Sequence, residues 1–106
     1  LAALPPAQSD AWLAGRHFEP RTAHTITDPQ RLRAELARVR SQGYALVDQE
    51  LEIGLRTISV PLLSADGAVL AAINVSAHAA RRSAEQLIDE CLPALRQTQA
   101  TLRRLL

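Results

Sequence analysis

The sequence has no methionine, no lysine and a single cysteine, Cys91. One cysteine excludes an internal disulfide and a cysteine-based zinc site. Without a methionine, Leu1 is not a translation start, so a segment of a longer protein is the expectation. No apolar run approaches the roughly 18 residues of a membrane helix, and there is no signal-peptide pattern, so a cytoplasmic protein with no membrane contact is expected. An excess of charge is also missing. Twelve arginines against eleven acidic residues leave +1, no footprint for a phosphate backbone, so this segment by itself should not bind DNA tightly. There is no repeat, low-complexity tract or Gly/Ser linker, and 47% apolar with 22% charged residues is a globular balance. One domain with one core follows.

Residues 5–15, PPAQSDAWLAG, predict a short helix entered through Pro5 and Pro6 and stopped at Gly15. Residues 16–26 lack a helical stripe and contain Pro20, which predicts a loop. In TDPQRLRAELARVRSQG, Thr27 or Asp28 can cap a helix, Gln30 would complete a capping box and Gly43 suits a left-handed exit. Leu32, Leu36 and Val39 form its apolar stripe, and the arginines around it read as a solvated face and not as a DNA surface. Ser83 and Gln86 predict another capping box, opening a helix whose stripe runs through Leu87, Ile88, Cys91, Leu92, Leu95, Thr98, Leu102 and Leu105. Pro93 falls inside it and predicts a kink or two abutting helices.

Between these helices, YALVDQ, LRTISVPLLS and AVLAAINVS predict three strands. On the second, Ile58, Val60 and Leu62 share one face and Thr57, Ser59 and Pro61 the other. Pairing by residue numbers that sum to 133 sets Val60 beside Ile73, Ile58 beside Val75, Ser59 beside Asn74 and Thr57 beside Ser76. A slip of one residue would mix the faces, so the polarity pattern itself specifies the register. Pro61 has no amide hydrogen and must sit opposite Ala72 in a non-hydrogen-bonded pair or at a bulge, which favours a four-residue loop over residues 65–68. The fold class is therefore α+β, an antiparallel sheet with N-terminal helices and a long C-terminal helix on one face.

Few residues invite chemistry. His17, His24 and His78 stand far apart, with no second ligand at metal spacing, and no nucleophile elbow or phosphate loop is present. No cofactor and no metal site is expected. Asp48, Glu50 and Glu52 alternate along a segment that, if extended, would aim three carboxylates one way, an acid/base or metal arrangement. A solvated acidic connection is the plainer reading, and for Cys91 a buried thiol. The sheet face with Thr57, Ser59, Ala72, Asn74 and Ser76 carries small side chains with neutral donors and acceptors. It can orient a polar molecule, or it can simply meet water.

The stretch GYALVDQELEIGLRTISVPLLSADGAVLAAINVSAHAAR resembles the late part of the effector-binding domain of IclR-type bacterial transcription regulators. The matching residues are Gly43, Tyr44, Ala45, Glu50, Gly54, Pro61, Ala71, Ala72, Ile73, Val75 and Ser76, and the flanking helices fit as well. HTIT followed by VDQELEIGLR resembles the branch that senses aromatic acids and their ring-cleavage products, such as protocatechuate, 4-hydroxybenzoate or β-ketoadipate. The resemblance implies a GAF-like sensor fold of which residues 1–106 are the C-terminal part. It implies a small organic acid effector, homodimers or homotetramers, and DNA contact only through a winged helix-turn-helix domain absent from this sequence. Its effector positions match Leu55, Thr57, Asn74 and Ser76, on the face already singled out by alternation. At Val47 some small-acid sensors of the family carry an aspartate, which favours a larger, more apolar effector here. Arg56 is a tempting carboxylate partner, but alternation turns it to the opposite face. Two rival expectations are a small α+β enzyme using Asp48 and Glu50 as acid and base, and a dimerisation module seamed by the last helix.

Overall fold

In the computed structural model, which describes residues 1–106, polarity does set the register of the sheet. Strand β2 (Leu55–Leu63) lies between β1 (Ala45–Asp48) and β3 (Val69–His78), antiparallel to both. Ile58 pairs with Val75, Val60 with Ile73, Ser59 with Asn74 and Thr57 with Ser76, as the matched polarities require. Pro61 sits opposite Ala72, two residues past the last β2 residue that β1 reaches, Ser59. On the β1 side no strand is present there to miss its amide, and its carbonyl accepts from Gln99 Nε2 at 2.6 Å.

The β2–β3 connection is tighter than the expected four-residue loop. Ser64 N–H donates to Ala68 O at 2.9 Å and Gly67 N–H to Ser64 O at 3.0 Å, leaving residues 65–67 as the loop. Gly67, at φ 92°, takes the left-handed position that such a loop needs, and the extra residue appears as a register shift between Leu62 and Leu63. The shift lies on the loop side of Pro61 and leaves the faces of residues 57–61 intact. Asp66 accepts from the Ser64 hydroxyl and the Ala68 amide, which hold its carboxyl below the usual range, the hydroxyl contributing most. The contribution of these bonds is present above the ordinary carboxylate range and is lost as pH falls through the lowered value.

The helices are α1 (Pro6–Leu13), α2 (Pro29–Gln42) and α3 (Ala84–Leu105). Asp28, not Thr27, caps α2, accepting from the amides of Gln30 and Arg31 at 3.3 and 3.4 Å. Gln30 is therefore one residue too early to close the expected capping box. Gly43, at φ 83°, ends the helix in the left-handed conformation. Ser83 and Gln86 do form their capping box at the start of α3. Pro93 leaves α3 as one continuous helix, which excludes two abutting helices, the second of the two expected outcomes. It is exposed, so the carbonyl it frees faces water, while Leu92 and Leu95 on either side are buried and hold both halves to the sheet.

The main core cluster lies between α3 and one sheet face, with Leu13 of α1 buried apart from it. Ile58 and Val60 meet Leu87, Leu92 and Leu95, with Tyr44, Leu46, Ile73, Ala77, Ile88 and Cys91 packed at the margin. On the opposite face α2 buries none of its residues. Ile58 is fully excluded from water, and Ile58→Ala should lower stability by about 2–5 kcal/mol, read as a shifted midpoint in chemical denaturation.

Candidate functional site

The acidic segment does not extend in a line. Gln49 takes a positive φ of 60°, its amide donates to Leu55 O at 2.9 Å, and residues 49–54 turn back into β2. Asp48 accepts from Arg56 Nε at 2.8 Å, whereas the Glu50 carboxylate accepts from the amide of Ile26 at 3.4 Å. The carboxylates thus serve separate structural bonds, contrary to the picture of three groups aimed together. No group of three or more His, Cys, Asp or Glu side chains could hold a metal ion.

Arg56 stands on the core side of the sheet, as alternation requires, with its side chain 18% exposed. Besides Asp48 it donates to the carbonyls of Ala79 and Arg82 at 3.0 and 2.8 Å. One guanidinium therefore ties β1, β2 and the approach to α3 together.

Leu55, Thr57, Asn74 and Ser76 lie together on the other face. Thr57 and Ser76 are paired across β2 and β3 with their hydroxyl oxygens 2.8 Å apart, and Asn74 follows one row along, opposite Ser59. Leu55 closes the strip at the start of β2, opposite His78. Asn74 and Ser76 are exposed, and Leu55 and Thr57 half-buried.

Beside this strip is a cleft of about 330 Å³ between the sheet and α2. Its α2 wall is the stripe Leu32, Leu36 and Val39. Its floor includes Ala45, Val47, Ser59, Pro61 and Ala72, and Leu1–Ala3 close one side. None of the four expected effector residues lines it. The two surfaces join through neighbours: Val47 pairs with Thr57, and Ser59 with Asn74. The α2 stripe was legible as an apolar face. That it would stand off the sheet was not, because periodicity reports which side of a helix avoids water and not how closely it is met.

The charges around the cleft have partners in the chain. Arg40 donates to the carbonyls of Ala2 and Leu4 at 2.8 and 3.3 Å, fastening the first residues over the opening. Glu35 is held by Arg38 at 2.8 Å, and that bond, more than the charge itself, raises the pKa of Arg38 above its ordinary value. The loop before α2 is pinned to the end of β1, Thr22 Oγ1 donating to Gln49 O at 2.6 Å and Thr25 Oγ1 to Glu50 O.

A flat strip of neutral hydrogen-bonding groups opening onto an apolar cleft suits a binding domain for small molecules. The chain belongs to the family described as bacterial transcriptional regulator IclR, C-terminal, whose model matches residues 1–104. Its relatives are transcription regulators and not enzymes. It is 44% identical over 95 residues to the Pca regulon regulatory protein of Pseudomonas putida, covering 90% of this chain and 33% of that protein. It is 38% identical over 94 residues to the p-hydroxybenzoate hydroxylase transcriptional activator of Acinetobacter baylyi, covering 89% of this chain and 35% of that protein. The chain thus spans about a third of these relatives' lengths.

Among solved structures, the PobR inducer-binding domain from Acinetobacter, a double mutant in complex with 3-hydroxybenzoic acid, superposes with a TM-score of 0.91 at 34% identity, over 99% of this chain and 60% of that one. The Thermotoga maritima IclR superposes with a TM-score of 0.88 at 30% identity, over 97% and 42%. The three helices and three-stranded antiparallel sheet match these domains. No helix is long and apolar enough to cross a membrane.

The Arg56 bonds give a direct expectation. Arg56→Ala should lower stability by about 1.5–3 kcal/mol, through charge-assisted bonds lost at a largely buried position. Calorimetric melting of the variant beside Asp48→Asn checks it, the second variant losing less because Ala79 and Arg82 keep their donor.

Proposed function

We propose that this chain is the C-terminal part of the effector-sensing domain of a cytoplasmic transcription regulator, and that its effector is a small organic acid of aromatic catabolism. The observation that carries this reading is the strip Leu55, Thr57, Asn74 and Ser76 beside the apolar cleft, which matches an acid head and a ring body. Likeness to regulators named for p-hydroxybenzoate hydroxylase and the Pca regulon, and to a domain solved with 3-hydroxybenzoic acid, supports the aromatic class. Thr57 and Ser76 hydroxyls and the Asn74 amide would donate to the carboxylate, and Leu55 would pack beside it.

The effector acts in this reading by binding one arrangement of subunits better than another, in a homodimer or homotetramer whose separate DNA-binding domains then shift their spacing. DNA is contacted only by those domains.

Neutral hydrogen bonds of about 1 kcal/mol each, more when the acid is ionised, imply modest affinity. Asn74→Leu should weaken binding of 3-hydroxybenzoate by roughly tenfold or more, equivalent to about 1.4 kcal/mol, without loss of fold. Titration calorimetry of the variant measures it. Normal binding by Asn74→Leu together with lost binding by a folded Arg56→Ala would mean that the effector sits on the opposite face.

A further inference from the structure

The face that carries Leu55, Thr57, Asn74 and Ser76 has one more member. β2 and β3 keep an unbroken register from the Leu55–His78 pair to the Leu62–Ala71 pair, so His78 falls on the same side of β3 as Asn74 and Ser76. It stands across from Leu55, one row beyond Thr57 and Ser76. At about 3.4 Å per residue, its Cα lies roughly 7 Å from that of Ser76, and an imidazole spans most of that gap. An oxygen held by the Thr57 and Ser76 hydroxyls is therefore within reach of a ring nitrogen.

The backbone of His78 is fixed while its ring is free. Its carbonyl accepts from the amides of Arg81 and Arg82 at 3.0 and 3.1 Å, and the next amide, that of Ala79, donates to Gly54 O at 2.8 Å. The residue is exposed and belongs to no ion pair. Other charged groups at this end of the sheet are turned away, engaged or balanced. Arg56 and Asp48 bond each other on the core face. Glu50 accepts from the amide of Ile26, in the loop before α2, and Arg82 pairs with Glu90 of α3. Glu52, in the turn before β2, and Arg81, just after β3, are exposed and of opposite sign. Arg40 belongs to the other end of the face, because α2 exits at Gly43 into a strand whose first residue, Ala45, pairs with Ser59.

We infer that His78 is a further effector-binding residue: its imidazole takes up a proton and donates to the carboxylate held by Thr57 and Ser76, so that acid binding tightens as pH falls. This rests on the sensor reading above and adds to it a charged contact and a pH dependence. The sign follows from linkage. An anion beside the ring favours the protonated imidazole, and the protonated imidazole favours the anion by the same factor. Arginine stays charged throughout, so an acid held by Arg40 instead would show no such gain.

Titration calorimetry of the purified protein with 3-hydroxybenzoate tests this at about pH 8 and about pH 6, a range in which histidine changes charge and the acid stays an anion. Wild type should bind about three- to fivefold more tightly at the lower pH, whereas uncharged 3-hydroxybenzamide should show no gain. His78→Gln keeps an N–H donor but cannot take up a proton. In that variant the gain should fall below about 1.5-fold, with affinity at the higher pH close to wild type. His78→Ala, as a second variant, should lose the gain as well. Equal affinity of wild type for 3-hydroxybenzoate at the two pH values overturns the inference while leaving the sensor reading in place. So does a gain that persists in either folded variant, or one that the amide shares. Absence of 3-hydroxybenzoate binding at both pH values overturns the sensor reading, and the inference with it.

Discussion

The pairing of residues 57–60 with 73–76 is the constraint on which the rest of this structure depends. Each cross-strand pair joins residues of like polarity, so one ladder makes a dry face and a hydrogen-bonding face at the same time. Ile58 and Val60 can be buried under α3 only if Thr57 and Ser59 point the other way. A shift by one residue would turn either the hydroxyls of Thr57 and Ser59 or the amide of Asn74 and the hydroxyl of Ser76 against Leu87 and Leu92, each without a partner, at a cost of about 1–3 kcal/mol apiece. Stability of the core and placement of the polar strip are thus one property of the sheet and not two.

The two faces are covered unequally. α3 is bound by a buried apolar stripe and by polar ties beyond it, Gln99 to the carbonyl of Pro61 and Arg96 to that of Gln42. Arg56 adds a third tie at the start of the helix, so the α3 side behaves as one packed body. On the other side α2 buries no residue and is held largely at its C-terminal end, by the Gly43 turn into β1 and by Arg40, which grips the first residues, with an exposed ion pair from Arg33 to Asp10 of α1. Apolar atoms entering the cleft would remove part of the α2 stripe from water, at about 25 cal/mol per Å². A filled cleft would therefore fix α2 against the sheet more firmly than the sheet alone does.

Much of this was legible in the sequence because it rests on short-range rules. Alternation gave the faces, Ser83 and Gln86 gave the start of α3, and Gly43 the end of α2. Errors arose where two local solutions were close in energy. Gln30 closes a capping box only if Thr27, and not Asp28, caps α2, and a loop of three residues with a bulge competes with one of four when a glycine at position 67 supplies the positive φ. Pro93 left a kink and a break both open, because the choice between them depends on exposure and on the packing of Leu92 and Leu95, which are tertiary facts. Alternation past Asp48 left two readings of the acidic run open, an extended array and, as the plainer one, a solvated connection. Only the left-handed turn at Gln49, bonded back to Leu55, separates Asp48 from Glu50. The strip Leu55, Thr57, Asn74 and Ser76 was reached from alternation and resemblance together, whereas the cleft was out of reach because it is a gap between elements.

The neutral character of the strip has a consequence for how such a domain can switch. A buried guanidinium opposite the acid would bind it more strongly, but left alone it would be an unpaired charge, costing several kcal/mol unless another group satisfied it. Hydroxyls that bond each other, as Thr57 and Ser76 do at 2.8 Å, are satisfied in the absence of an acid and need only rotate to donate to one. The unliganded state is then not destabilised, and the difference between states on binding stays at a few neutral or singly charged bonds. A regulator needs only that scale: about 5.5 kcal/mol of differential affinity carries a two-state equilibrium from one per cent to ninety-nine, and smaller differences give graded shifts. Arg56, next to Thr57 on β2, is turned to the opposite face and engaged in holding β1 and the approach to α3, so the strip can stay neutral without leaving the fold short of a charged clamp.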